Sequence, residues 1–241
     1  MPTQLNETTV FRTGNVTLQV VDRDWAYASA NREAIDQHWQ RARAANPGYF
    51  NGVIHLITAL DIKTTALKAD FIATDFKSFL HWRDAGFPED ANVLDGFGSA
   101  LLRSREGHVI LGRQRPGNIN AGLSYLPGGF IDARDVNSNG VIDIKASILR
   151  ELLEETGVDQ AGLETRAGYL ITRSGRQLSI AAEFQSALLA DQLMARIHDH
   201  LTTQSDPELA CMVVVRREED MRDLAMPPYA RLLLERLFKG L

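Results

Sequence analysis

An α/β fold preceded by a small α+β segment is what this 241-residue chain predicts. Two observations carry the expectation. Strand-like apolar runs alternate with 3.6-period helical stretches along the whole chain. The pattern also changes near residues 88–94: short units cut by Asn46-Pro47-Gly48 and Gly86-Phe87-Pro88 give way to longer mixed strands and helices. The chain is therefore divided into an N-terminal α+β segment, residues 1–90, and an α/β unit, residues 91–241. Nothing between them reads as a flexible linker, so the two are expected to pack together.

The elements follow in order. The first ten residues are polar and are expected to fray. Val16 to Val21 alternates as a strand does, and Ala28 to Ala45 reads as a polar helix with Ile35 and Trp39 among its apolar positions. Two strands, Val53 to Asp61 and Thr65 to Thr74, precede a short helix, Asp75 to Ala85, with Phe76, Phe79 and Leu80 on one side. Strand-like runs then appear at Val93 to Arg103 and His108 to Arg113. A helix at Ala146 to Glu155, strands at Thr165 to Thr172 and Leu178 to Phe184, and a helix at Ala190 to His200 come next. Leu209 to Val215 is the last strand, and Pro227-Pro228 opens a final helix, since proline is tolerated in a first turn.

Composition excludes several classes. The net charge of −5 argues against a nucleic-acid coat, which needs a basic surplus. The longest apolar run has seven residues, Leu209 to Val215, where a membrane span needs about 20. The single cysteine, Cys211, excludes an intramolecular disulfide and fits a reducing compartment, so a cytoplasmic location is expected. No basic segment followed by an apolar block marks a secretory signal at the N-terminus.

The informative segment is Arg150-Glu151-Leu152-Leu153-Glu154-Glu155-Thr156-Gly157. At 100° per residue, Ala146, Leu149, Leu152, Leu153 and Thr156 share one face, and Glu151, Glu154 and Glu155 share the opposite one. Arg150 flanks them and reaches Glu154 one turn on, while Gly157 is a natural C-terminal stop. Such a face suits solvent. It equally suits Mg²⁺, a hard cation that takes carboxylates together with substrate phosphates and relieves the repulsion of three like charges. Upstream, Gly128-Gly129 lets the backbone turn tightly and approach the helix.

Taken together, these residues resemble the Nudix hydrolase family. Its box runs Gly, five residues, Glu, seven residues, Arg-Glu, an aliphatic, any residue, Glu-Glu, any residue, Gly, an aliphatic. Gly129, Arg150, Glu151, Leu152, Glu154, Glu155, Gly157 and Val158 match. The resemblance implies the Nudix fold, an α/β/α sandwich with a mixed sheet. It implies Mg²⁺ or Mn²⁺ on Glu151, Glu154 and Glu155, and a small-molecule nucleoside diphosphate substrate. The spacing departs from the box: seven extra residues separate Gly129 from Arg150. Counting back from Arg150, the first box glutamate falls on Ile142, which cannot serve; Asp143 and Asp132 lie near.

The inserted stretch, Asp135-Val136-Asn137-Ser138-Asn139-Gly140-Val141-Ile142-Asp143, resembles the start of an EF-hand loop, with Ala146 where the bidentate glutamate should be. A weak Ca²⁺ site and a plain Asn-Gly turn are both open readings. Arg113 and Arg115 are candidates for phosphate oxygens, because a guanidinium fork suits them. Glu208 is a candidate helper from outside the helix. In its N-terminal part the order Phe50-Asn51-Gly52, Thr74 to Phe79 and Asp95 to Ala100 looks like the Nudix branch that includes the animal uridine diphosphate glucose pyrophosphatase. That implies cleavage of a UDP-sugar to UMP and a sugar 1-phosphate. ADP-ribose or a dinucleotide, and a non-catalytic ligand sensor, are the alternatives; a homodimer is possible.

Overall fold

A computed structural model describes residues 8–63 and 65–241. Ten strands and six α-helices are arranged around two sheets among these residues. The strands are β1 (Thr9–Thr13), β2 (Asn15–Val20), β3 (Val53–Lys63), β4 (Ala66–Asp75), β5 (Asp95–Arg103), β6 (Val109–Gln114), β7 (Ser124–Tyr125), β8 (Leu163–Ser174), β9 (Gln177–Ser186) and β10 (Leu209–Val215). The helices are α1 (Ala26–Ala30), α2 (Arg32–Ala45), α3 (Phe76–Asp84), α4 (Ile144–Thr156), α5 (Ala190–Thr203) and α6 (Pro228–Phe238).

The larger sheet runs β1-β8-β9-β5-β6-β10, with β7 on β6. It is mixed: β5 and β9 are parallel and the other neighbours antiparallel. The smaller sheet, β2-β4-β3, pairs β2 parallel to β4. Ile110, Ile180 and Ala182 face α4 and α5 in a core that also takes in Leu18, Leu67 and Phe71 of the smaller sheet. On the other side Leu101, Leu111 and Leu170 pack against Leu233 and Leu234 of α6. The sheet lies between helices, as the sequence predicts.

Three expectations need correction. Thr9 and Val10 do not fray: they open β1, an edge strand held by β8. Its Arg12 donates to the buried Glu183 of β9 at 2.5 Å, and Arg103 of β5 reaches the same carboxylate at 2.8 Å. Hence the division at residue 90 does not hold for β1, which belongs to the sheet of the second unit. Residues 1–7, the remainder of that polar stretch, lie outside the described residues. The helix expected over residues 28–45 is two helices meeting at Asn31, and α2 buries only Ile35.

The N-terminal segment also carries an aromatic core of its own. Trp25, Phe79 and Trp82 are buried beside Leu56 and Ile72, and Phe130 from the second unit packs onto them. Phe79 and Phe130 meet edge to face, with ring centroids 4.9 Å apart. Bridges from Ile54 to Asp132 and from Ile57 to Leu94 join the two units further.

Candidate active site

Helix α4 positions the three glutamates. Its start is set by Asp143, whose side chain accepts from the Ala146 N–H at 3.0 Å. Its end is set by Gly157 at φ +67°, the left-handed conformation glycine adopts without strain. The buried face is Ile144, Ile148, Leu152, Glu155 and Thr156; Ala146 and Leu153 are exposed. This corrects the expected face. Ile144 and Ile148 lie two turns and one turn before Leu152, so the apolar stripe turns toward Glu155 and away from Leu153. The carboxylates therefore occupy a gradient of burial: Glu155 inside, Glu151 at the boundary and Glu154 in solvent.

Each inner carboxylate has a fixed partner. Glu155 accepts from the Gly128 N–H at 3.0 Å. A Cβ on Gly128 would run into the Gly98 carbonyl, and one on Gly129 would meet the Glu151 carboxylate at 2.6 Å, so the paired glycines let the loop lie directly on the helix. Glu151 accepts from Arg150 at 2.5 Å, and the other end of that guanidinium donates to the buried Asp135 at 2.8 Å. Glu154 stands 3.6 Å from the same arginine. Arg150 thus braces Glu151 and Glu154 from one side.

Glu208, just before β10, completes the group. It lines one groove with Glu151, Glu154 and Glu155. Burial raises the Glu151 pKa to about 7; Arg150 opposes the rise, and Glu154 and Glu208 add to it. Glu155 is pushed well above the usual carboxylate range by burial, then by Glu208 and Glu151. Glu208 is raised by burial and by Glu154. Among the described residues no three of these side chains close around one point, since Glu151 is drawn to Arg150 and Glu155 to Gly128. The donor set still fits a hard divalent cation in kind: it is all carboxylate oxygen, and it carries repulsion that such a charge relieves.

The groove adjoins a second cavity at Glu208. Gly128, Gly129, Gln114, Asn118, Asn120, Phe97, Tyr125 and Tyr229 line it from the second unit, and Tyr49, Phe76, Phe79 and Arg83 line it from the N-terminal segment. Asp95 and Gln177 also line it. A cleft walled by aromatic rings and polar side chains, meeting a cluster of carboxylates with displaced pKa values at Glu208, has the build of a ligand site.

A sequence model of the NUDIX domain matches residues 95–233, more than half of the chain. The chain belongs to the Nudix family. It is accordingly a pyrophosphohydrolase of the Nudix type, a family that works with divalent metals such as Mg²⁺ or Mn²⁺ on small nucleotide substrates. No curated protein is similar enough to count as a match. Among solved structures the chain is similar to the Nudix hydrolase RenU of M. smegmatis, at 19% identity over 60% of this chain and 83% of that one, TM-score 0.41. It is similar to the MutT protein of Methanosarcina mazei Go1, at 23% identity over 61% and 94%, TM-score 0.38. An Ap4A hydrolase of C. elegans aligns at 13% identity over 60% and 95%, TM-score 0.38.

Within the Nudix box the structure relocates the irregularity. Counted forward from Gly129, five residues lead to Asp135, so an aspartate stands where the box has its first glutamate. It is the residue that holds Arg150. Counting back from Arg150 hid it, because the seven extra residues, 136–142, come after it. Their ends meet: Val136 bridges Ile142, and the Asp143 N–H donates to the Asp135 carbonyl at 2.9 Å. The extra residues form a closed excursion that leaves the box geometry in place.

Calcium ligation by that loop is not what its oxygens do. Asp135 is held by Arg150 and by the Asp132 N–H, Asn137 accepts from Asn139 and Val141, and Asp143 caps α4. The excursion instead leans on the smaller sheet: Val20 N–H donates to the Gly140 carbonyl at 2.7 Å and Ile142 N–H to the Leu18 carbonyl at 3.0 Å. Arg113 is not among the residues that line the groove; it donates to Ser124 at 3.3 Å. Arg115 stands at the groove's edge: it pairs with Asp206, which lines the groove, its N–H donates to the Glu208 carbonyl at 3.1 Å, and its charge opposes the rise in the Glu208 pKa. The polar residues of the second cavity come from six separate stretches of sequence, so no local pattern announced them.

Proposed function

We propose that this Nudix enzyme hydrolyses the diphosphate bond of a nucleoside diphosphate linked to another moiety, with a UDP-sugar as the leading substrate. The observation that carries the reading is that the acidic groove and the aromatic cavity meet at Glu208, which lines both. The diphosphate lies at the groove and the nucleoside end in the cavity. The sequence order of the N-terminal segment favours a UDP-sugar, and that segment supplies one wall of the cavity.

Glu151, Glu154 and Glu155, with Glu208 facing them, would hold the cation. A divalent ion bound there supplies positive charge to the diphosphate oxygens. The chain's own residues do the rest. Arg150, itself fixed by Asp135, sets the orientation of Glu151 and Glu154. Gly128 holds Glu155 through its N–H and leaves room for the substrate over the loop. A water oxygen attacks one phosphorus and the bridging P–O bond breaks. The water proton passes to a carboxylate of elevated pKa, for which Glu208 stands outside the helix and open to both cavities. The products are a nucleoside monophosphate and the phosphorylated second moiety.

A Mg²⁺-supplemented panel of UDP-sugars, ADP-ribose, NADH, coenzyme A and nucleoside triphosphates, read by product chromatography, tests this. UDP-glucose or UDP-galactose should exceed ADP-ribose in kcat/KM by at least about tenfold. Equal or better turnover of ADP-ribose or NADH removes the UDP-sugar reading and leaves the hydrolase.

A further inference from the structure

The aromatic cavity contains a carboxylate that the hydrolysis does not use. Asp95 opens β5 and is 4% exposed. Gln177 donates to one of its oxygens at 3.3 Å. The other oxygen, Oδ1, is buried and has no hydrogen-bond partner among the described residues. Arg83, the nearby cation, is turned away and donates to the Ile119 carbonyl and, at 3.4 Å, to Asn120. A buried acceptor left open in this way is costly, and such groups call for a specific explanation.

We propose that Asp95 determines specificity by accepting an N–H from the edge of the substrate's nucleobase. Three features select that ligand chemistry. The open oxygen needs a donor. The walls around it are flat rings: Phe97 and Tyr229 meet edge to face at 4.9 Å, and Tyr49 and Phe130 line the same space, which suits a planar heterocycle more than a sugar. Arg83 beside the cavity disfavours a cationic donor, which leaves a neutral ring or exocyclic N–H. The adjoining groove lies at Glu208, where a diphosphate attached to that base would reach the carboxylates. Asp95 holds its charged form poorly because burial lifts its pKa to about 7, with Gln177 and Arg83 opposing, so a donated hydrogen bond restores what burial removes.

This inference rests on the placement of the nucleoside in the cavity, and its test is kept apart from turnover. Metal-free wild type is titrated calorimetrically with UMP, AMP, GMP and CMP. Each is compared with a counterpart methylated at the edge nitrogen: N3-methyl-UMP, N6,N6-dimethyl-AMP, N1-methyl-GMP and N4,N4-dimethyl-CMP. The best-bound nucleotide should exceed its counterpart by at least about tenfold, and Asp95→Ala and Asp95→Leu, which leave no acceptor, should erase that ratio. A merely structural Asp95 would lower both affinities and leave the ratio standing. Equal binding of parent and counterpart in wild type, survival of the ratio in the variants, or no binding of any nucleotide overturns the inference. The wild-type comparison decides alone if the variants fail to fold. Base-selective binding without metal-dependent hydrolysis would sink the proposed activity and keep Asp95 in its role.

Discussion

Raising the pH should weaken the metal-free protein, and Glu151→Gln should remove a defined share of the loss. Glu151 sits at the rim of the core, where burial lifts its pKa from an ordinary 4.5 to about 7. Between those values the folded protein keeps the proton and the unfolded chain releases it. Stability is therefore complete below pH 4.5, falls through the window, and levels off above pH 7. The displacement corresponds to about 3 kcal/mol at about 1.4 kcal/mol per pH unit. Glutamine keeps the length of the side chain and an acceptor for Arg150, but it does not titrate. Urea unfolding in EDTA at pH 4.5 and pH 8 gives the stabilities of both proteins. The wild type should lose about 2–3 kcal/mol more than the variant between the two conditions. Glu155 and Glu208 shift in the same direction and steepen both curves; because Glu151 also raises Glu155, the difference reports Glu151 together with that coupling. Parallel curves would refute the burial argument. Mg²⁺ should raise the melting temperature of the wild type more at pH 8 than at pH 5, because carboxylate ligands must shed protons to bind it.

Further outcomes can be checked on the same protein. Glu154→Gln and Glu155→Gln should each lower turnover at least about tenfold, or about 1.4 kcal/mol in the barrier, with circular dichroism unchanged. Gly128→Ala should cost about 1–3 kcal/mol in urea unfolding, because the new methyl group meets the Gly98 carbonyl, which is backbone and cannot swing away. Asp135→Ala should cost about 2 kcal/mol, because Arg150 loses its buried acceptor but keeps Glu151, whereas Asp143→Ala should cost only about 1 kcal/mol as a lost helix cap; thermal melts rank the two, and the reverse order would return Asp143 to the role of the box acid.

Much of the helix and little of its surroundings could be read in advance. The spacing of Glu151, Glu154 and Glu155 needs only helical geometry, and Gly157 ends the helix for a reason local to itself. The buried face was misplaced because Ile144 lies before the expected start and Ile148 was left out of the expected face, and only the packing against Gly98 and the sheet decides which side turns inward. Strand β1 was illegible for a different reason: Thr-Val-Phe-Arg-Thr has no strong pattern of its own and is a strand because β8 offers it an edge. Asp135 was within reach of counting forward from Gly129. Asp95, Gln177, Arg83 and Tyr49 were not, since only the tertiary fold brings them to one cavity.

The pairing of β1 with β8 has a consequence for the order of events during synthesis. Thr9 lies opposite Arg173, so the first strand waits for a partner more than 160 residues behind it on the ribosome. The smaller sheet has β2, β3 and β4 in hand long before that, and can form while Thr9–Thr13 still hangs free. Only when β8 and β9 emerge can Arg12 find Glu183, and the closure of that long loop is paid late. Until then β8 has a bare edge, and a neighbouring nascent chain carrying the same Thr-Val-Phe-Arg-Thr segment is an equally good partner for it. Crowded polysomes are therefore where this protein is most exposed to strand exchange between copies.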